Sequence, residues 1–486
     1  MKQLSSLDAT FLALENDRNY GHTGGLAILD PSAAPGGEIT IDDIKQLLAD
    51  RIHLIPPFTS KLVPVPLNLD RPYWVTDDNF DLDYHCRELA LPKPGSMDQL
   101  AEQAARVYSR HLDRSRPLWE LYLIQGLPDG RVAMLTKIHH SSVDGMSGQE
   151  IMTILYDLTP EARDVDPPSS DPDYDYPSAS EMLGHWITGM PRYPVNAFTR
   201  LARVLPHVDV VPSAMGIPGT ETISRALSRA RRFGNRDPET KIIQRSQVKA
   251  PRGPYGKKVS PHRKFGFASL SLSDVKSVKN KFGVTVNDVV VSIAAGAIRG
   301  HLALHGELPE EPLVAMIPVS VRTEEERGSF GNEVSVMMAP ISTHLEDPAD
   351  RIRFQNETLR TAKEQHEALP AKALRDVTTF IPPALHARAT RAITELNGAV
   401  TRPALNVIIS NVPGPPIDIY SAGARLEALY PLSIITDGSG LNVTVMSYRD
   451  SIDIGITADR EMTPDVQSIA DGMVAELAIL VGAAPD

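Results

Sequence analysis

At 486 residues the chain exceeds a usual single core and divides most naturally into two domains of roughly 200 residues each. Hydrophobic residues make up 42% and charged residues 23%, a globular composition that excludes both a disordered polymer and an integral membrane chain. A formal charge of -12 argues against nucleic-acid binding, and a single cysteine, Cys86, excludes an intrachain disulfide and agrees with a reducing compartment.

Met1 to Asp8 holds no signal-peptide apolar stretch, and no run reaches the roughly 18 apolar residues of a spanning helix. A cytoplasmic chain is therefore expected, with peripheral contact at a membrane surface left open. Residues 1 to about 160 alternate strand-like and helix-like stretches, among them Gly24 to Leu29, Ile41 to Ile55, Gln99 to His111 and Trp119 to Gln125, as in an α/β or α+β unit. Within Pro117-Leu118-Trp119-Glu120, Trp119 either lines an acyl tunnel as a substrate-binding residue or packs a core.

The most informative segment follows: Lys137-Ile138-His139-His140-Ser141-Ser142-Val143-Asp144-Gly145. If Arg131 to His140 is extended, a period of two puts Ile138 and His140 on one face and Lys137 and His139 on the other, so the histidines point different ways. Ser141 to Asp144 then leaves the strand, Gly145 supplies a permissive backbone position, and Gln149 to Leu158 reads as an apolar helix. A histidine held at such a junction, neutral near pH 7, can take the proton of an attacking alcohol and return it to a leaving thiolate. The pattern His-His-x-x-x-Asp-Gly is much rarer by chance than its parts, which favours catalysis over a polar strand end. Adjacent histidines on opposite faces chelate poorly and no Cys-x-x-Cys or His-Glu-x-x-His accompanies them, so no metal is expected. Ser141 and Ser142 lack a Gly-x-Ser-x-Gly elbow and are discounted as nucleophiles.

Pro160 to Pro177, rich in Pro, Asp and Ser, reads as a solvated linker. Between about 181 and 250, Trp186, Met190 and Phe198 precede a cationic stretch from Arg225 to Arg236, and the prolines at 191, 194, 206 and 212 rule out one long helix. This segment is either a crossing connection packed on both domains or a basic patch for anionic lipid. The second half restarts with a strand at Phe265 to Leu272 and a helix at Ser273 to Lys281. Val286 to Leu304 is an apolar helix opened by Thr285-Val286-Asn287-Asp288, where Asp288 reads as a cap for Thr285 and Asn287 as an amide that could donate to substrate. Ala404 to Ser410, Leu441 to Tyr448 and Ile452 to Ala458 read as strands, the last two forming a hairpin.

Taken together, these segments resemble the bacterial wax ester synthase/diacylglycerol acyltransferase family of the chloramphenicol-acetyltransferase-like superfamily. The likeness runs through Leu4-Ser5-Ser6-Leu7-Asp8, Gly21-His22-Thr23-Gly24-Gly25-Leu26, Asp113 to Glu120, His139-His140 with Asp144-Gly145, Val286-Asn287-Asp288-Val289, Pro318 to Arg322, Gly331-Asn332 and Ser410-Asn411-Val412-Pro413-Gly414-Pro415. The resemblance implies an α/β (α+β) protein of two such domains, each a mixed sheet with flanking helices, with an active-site tunnel between them. The division expected is 1–177, a connecting segment 178–258, and 259–486. By the same resemblance His140 is the general base, His139 supports the site, and Asp144 is chiefly structural, paired with an arginine such as Arg322. Asn287 falls in the family's Asn-Asp segment. One departure is Gly253-Pro254-Tyr255-Gly256, where relatives commonly read Thr-Pro-Phe-Asn; a changed acceptor preference is expected from it. The activity implied is transfer of a long-chain acyl group from acyl-coenzyme A, a co-substrate rather than a cofactor, to diacylglycerol or a fatty alcohol. The rivals are a condensation-domain-like transferase with other acceptors and a catalytically silent lipid-binding protein.

Overall fold

The computed structural model describes residues 2–143, 148–168, 176–189, 250–320, 334–367, 403 and 405–483. In the first half the elements run β1 (Lys2–Gln3), α1 (Ser6–Leu14), β2 (His22–Asp30), α2 (Ile41–Arg51), β3 (Ser60–Val63), β4 (Tyr73–Thr76), α3 (Leu82–His85), β5 (Cys86–Ala90), α4 (Met97–Tyr108), β6 (Trp119–Gln125), β7 (Val132–His139), α5 (Gly148–Leu155) and α6 (Ala179–Gly189). The second half continues with β8 (Arg263–Ser271), α7 (Leu272–Phe282), α8 (Val286–Leu304), β9 (Val314–Ser320), β10 (Val334–Pro340), α9 (Pro348–Glu367), β11 (Val407–Val412), β12 (Tyr420–Ser421), β13 (Ala424–Leu432), β14 (Leu441–Tyr448), β15 (Ser451–Asp459) and α10 (Gln467–Gly482). The cationic stretch Arg225 to Arg236 lies outside the described residues, as does part of the acidic linker.

Local chemistry sets the helix starts. Thr40, Ser96 and Thr285 each accept the backbone N–H three residues on, and Asp43, Gln99 and Asp288 reach back, closing capping boxes at α2, α4 and α8. Asp288 also accepts from Asn356 Nδ2 at 2.9 Å, so the cap ties α8 to α9. The middle of α8, Asp288 to Ile298, is buried all round inside the second core, which accounts for its apolar composition. No single described helix is long and apolar enough to cross a membrane.

Two six-stranded mixed sheets carry the fold, ordered β12-β13-β2-β7-β6-β5 and β10-β9-β11-β14-β15-β8, beside a small β1-β4-β3 sheet. In the first, β7 pairs antiparallel with both β2 and β6, so the strand that ends in His139 is central and fixed on both edges. Its buried run Val132 to Leu135 separates two cores, one under α2 and one under α4.

The stretch 259–486 does not keep to its own sheet. β13 leaves the second domain and pairs antiparallel with β2 from Arg425↔Asp30 to Leu432↔Gly24, completing the first sheet. Where it passes β15, a Cβ on Gly455 would overlap the Pro431 carbonyl, so only glycine allows the strands to approach so closely. Further ties bind the halves: Tyr108 Oη donates to Leu432 O at 3.3 Å, Tyr20 Oη to Pro261 O at 3.0 Å, and Asp437 N to Asn19 Oδ1 at 3.0 Å.

Of the two readings of Trp119, substrate binding and core packing, the structure shows the second. Its indole is 2% exposed, lies between the rings of Phe58 at 4.6 Å and His85 at 4.5 Å, and donates Nε1–H to Phe58 O at 2.8 Å. Trp119→Phe leaves that buried carbonyl unpaired and is expected to cost about 1–3 kcal/mol of stability. Urea unfolding should show this loss without a change in acceptor preference; a changed preference at wild-type stability would return Trp119 to the substrate path.

Candidate active site

β7 ends at His139 and the chain turns at once, His140–Val143 forming a short 3-10 turn. The strand stops one residue short of the extended run expected through His140, so the turn rather than strand alternation places the second ring. His139, 1% exposed, faces inward opposite His22, its register partner on β2, with ring centroids 6.3 Å apart. His140 is half-buried and stacks on Phe11 of α1, with centroids 4.2 Å apart and planes at 23°. Backbone bonds fix the corner: His139 N donates to Leu118 O at 2.9 Å and His140 N to Gly21 O at 2.7 Å.

A buried carboxylate organises the inner side. Glu15, directly after α1, places Oε1 3.6 Å from Nε2 of both His22 and His139 and accepts the Gly21 N–H at 3.1 Å. Its Oε2 accepts from Arg114 Nε at 3.2 Å and Nη2 at 2.7 Å. His139 Nδ1 meets Ser141 Oγ at 2.6 Å and accepts the Ser141 N–H at 3.1 Å. Beneath them Lys137, fully buried, donates to Arg110 O at 2.6 Å and lies 3.4 Å from Glu120 Oε2. Ser141 is 0% exposed, so its hydroxyl, though paired with a histidine, is closed to any substrate.

Charge follows burial. Desolvation holds His140 below the usual imidazole value and takes His139 down to about 4, outweighing the pull of Glu15. Burial pushes the Glu15 carboxyl up, but His139, Arg114 and the Gly21 N–H together bring it below the ordinary value. With His139 neutral at pH 7, Arg114 supplies the countercharge. Burial likewise lowers His22 and His85, and it lifts the Cys86 thiol to about 12, which leaves that cysteine inert near neutrality.

These depressed histidines carry a stability consequence. Each binds a proton on unfolding once the pH falls below 6.5, so their contribution is complete above that value and is lost as the pH falls towards the folded values. While only the unfolded form is protonated, each histidine costs about 1.4 kcal/mol per pH unit. The urea midpoint should be level from pH 8 to 7 and decline steeply from 6.5 to 4.5; a level midpoint throughout would mean these rings are solvated.

Asp144, Gly145 and Arg322 lie outside the described residues, as do Gly331 and Asn332. Asn287 is half-buried in the first turn of α8, an element packed on α7, α9, α10 and β11. The second domain does reach the motif region, because Gln149 Nε2 at the start of α5 donates to Pro413 O at 2.7 Å. Elsewhere, one donor atom each from His301, His305 and Asp465 lie within 4.8 Å of one another. Both Nδ1 atoms are already engaged, His301 by Ser468 Oγ at 2.9 Å and His305 by His301 O at 2.8 Å, so the cluster reads as a polar staple of α8 to the start of α10.

Sequence reasoning missed Phe11, Glu15 and Arg114 as site residues. Arg114 and Gly21 sit within segments that carry the resemblance, which was the signal for them. Glu15 gave none, since a carboxylate just past a helix usually faces water.

Two mixed domains joined by a crossing strand, with a neutral histidine where the central strand turns, define a protein class. The first condensation domain of the calcium-dependent antibiotic synthetase superposes with a TM-score of 0.54 at 13% identity, covering 100% of this chain and 97% of that one, which establishes the chloramphenicol-acetyltransferase-like fold. The chain belongs to the wax ester synthase/diacylglycerol acyltransferase family: the family's catalytic domain matches residues 4–290 and its C-terminal domain residues 330–481. A Mycobacterium tuberculosis protein named provisionally as a diacylglycerol O-acyltransferase is 34% identical over 100% of this chain and 91% of its own length. The O-acyltransferase WSD of Acinetobacter baylyi is 30% identical over 99% of this chain and 97% of its own. The solved wax ester synthase/diacylglycerol acyltransferase from Marinobacter aquaeolei VT8 superposes with a TM-score of 0.69 at 29% identity, covering 99% and 100% of the two chains.

Proposed function

We propose that this protein moves a long-chain acyl group from acyl-coenzyme A to the free hydroxyl of diacylglycerol, giving triacylglycerol, and to fatty alcohol, giving wax ester. The observation that carries the mechanism is His140. Its ring is held by Phe11, is kept neutral by burial and, unlike that of His139, is only half-buried. A neutral imidazole so held is free to take the acceptor's proton.

In the reaction, His140 removes the hydroxyl proton as the oxygen attacks the thioester carbonyl. The tetrahedral intermediate collapses, the C–S bond breaks, and the imidazolium returns its proton to the departing thiolate. Ester and free coenzyme A leave, with no acyl-enzyme, metal ion or cofactor in the sequence of steps. Asn287 is the candidate donor to the oxyanion, a role typically worth a few kcal/mol. Asp144 and Arg322 are assigned to holding the turn after His140. The substrates would meet in a tunnel between the domains, with the protein resting peripherally on the inner membrane or a lipid droplet to receive its acceptor.

The test is product analysis with palmitoyl-coenzyme A and, in turn, diacylglycerol, hexadecanol or an aminoacyl acceptor. Ester formation matched by free thiol is expected with the alcohols. Amide formation alone would transfer the chain to the condensation-type reading.

A further inference from the structure

We propose that Glu15 is a positioning residue for this transfer: it fixes which nitrogen of His139 carries the proton, and through that ring it shapes the turn that presents His140. The inference rests on His140 acting as the base, and it reaches one step behind that residue.

The backbone N–H of Ser141 donates to His139 Nδ1 at 3.1 Å. An N–H cannot accept, so Nδ1 bears a lone pair. The neutral ring then carries its single proton on Nε2. Ser141 Oγ, 2.6 Å from the same Nδ1, fits as a second donor. Were the proton on Nδ1 instead, Ser141 Oγ would have to accept it, and the buried Ser141 N–H would face a second N–H and lose its acceptor.

Nε2 is buried without a hydrogen-bond partner among the described residues, and Glu15 Oε1 lies 3.6 Å away. That separation is long for a hydrogen bond, yet a carboxylate this close in a dry site strongly favours an N–H pointing at it over a lone pair. The same Oε1 accepts the Gly21 N–H, and the Gly21 carbonyl accepts the His140 N–H. One oxygen thus acts on both ends of the turn, through Gly21 on His140 and through His139 on Ser141. Arg114 holds the other oxygen, which keeps Oε1 aimed inward. Helix α1 serves both histidines, since Phe11 lies four residues before Glu15, one helical turn earlier.

An amide cannot substitute, because it has an acceptor at one end only. In Glu15→Gln the oxygen satisfies either Arg114 or the inner pair of donors, and the amide N–H2 confronts the other. A salt bridge that only secured α1 would tolerate loss of the inner acceptor.

The experiment compares the wild type, His140→Ala, Glu15→Gln and Glu15→Asp as full-length proteins, in ester formation and in spectra of protein labelled with 15N-histidine. The His139 signals are those that vanish in His139→Gln. In the wild type they should report a proton on Nε2. Glu15→Gln should lower kcat about a hundredfold, as displacement of a reacting group by about 1 Å does. KM for acyl-coenzyme A should stay within about threefold, and Glu15→Asp should recover part of the rate. Wild-type kcat in folded Glu15→Gln, or a wild-type His139 proton on Nδ1, overturns the proposal. Should Glu15→Gln not fold, Glu15→Asp stands in for it: a lowered kcat is expected, and wild-type kcat there overturns the proposal. If the wild type shows the Nε2 proton but makes no ester, the proposed reaction fails while the assignment of Glu15 to His139 stands.

Discussion

His140→Ala is expected to lower the rate of ester formation by about a hundred- to ten-thousandfold, the usual span for loss of a general base. The reason is local: His140 is the half-buried imidazole at the turn, while His139 is 1% exposed and enclosed by Ser141 and Glu15. KM for acyl-coenzyme A should change little, because the donor thioester is not held by this proton transfer. In the wild type the pH profile adds a second check. Burial lowers the His140 value, so the ring stays neutral as the pH falls from 7 through 6.5, and the acid limb of kcat/KM should have its midpoint below 6.5. Stopped assays of coenzyme A release across pH 5 to 8 measure both quantities. Wild-type turnover in the variant would remove His140 from the mechanism.

Gly21→Ala should be nearly as damaging, although Gly21 performs no chemistry. A Cβ there would overlap His139 Nε2 and lie 2.9 Å from Cε1 and 3.0 Å from Cδ2. The ring has no easy retreat, since its far side accepts from Ser141 and its near side faces Glu15. Either the ring or the Gly21 strand edge must move, and the His140 N–H bond to Gly21 O moves with it. We expect kcat to fall about a hundredfold and stability by about 1–3 kcal/mol, the usual cost of overpacking. Gly300→Ala, where a Cβ meets nothing, is the matched control and should leave activity unchanged. Wild-type kcat in Gly21→Ala would show that the ring geometry does not govern the rate.

How legible the molecule is from its sequence depends on the range of the interactions. Trp119–Gln125, Val286–Leu304 and Leu441–Tyr448 are bounded by the sequence pattern to the residue, because period and caps are local properties. The Thr285–Asp288 cap is readable for the same reason. The crossing of β13 is not, since its partner β2 lies about four hundred residues earlier and strand pairing leaves no mark at that distance. The histidine pair was visible as a motif, whereas the carboxylate behind it was not. Glu15 becomes a buried hub only when β2, β7 and the Arg114 loop fold around it, and nothing in its neighbours announces that. Trp119 shows the converse: its segment carries the resemblance, yet its indole serves the core.

The central claim is direct acyl transfer to a lipid hydroxyl with His140 as base. The most direct measurement mixes purified wild type or His140→Ala with labelled palmitoyl-coenzyme A and diacylglycerol, then resolves the lipid products while counting free thiol. The account predicts triacylglycerol and coenzyme A in equal amounts from the wild type and almost none from the variant. Folded wild type that turns over no acceptor, or a variant as active as the wild type, would contradict it.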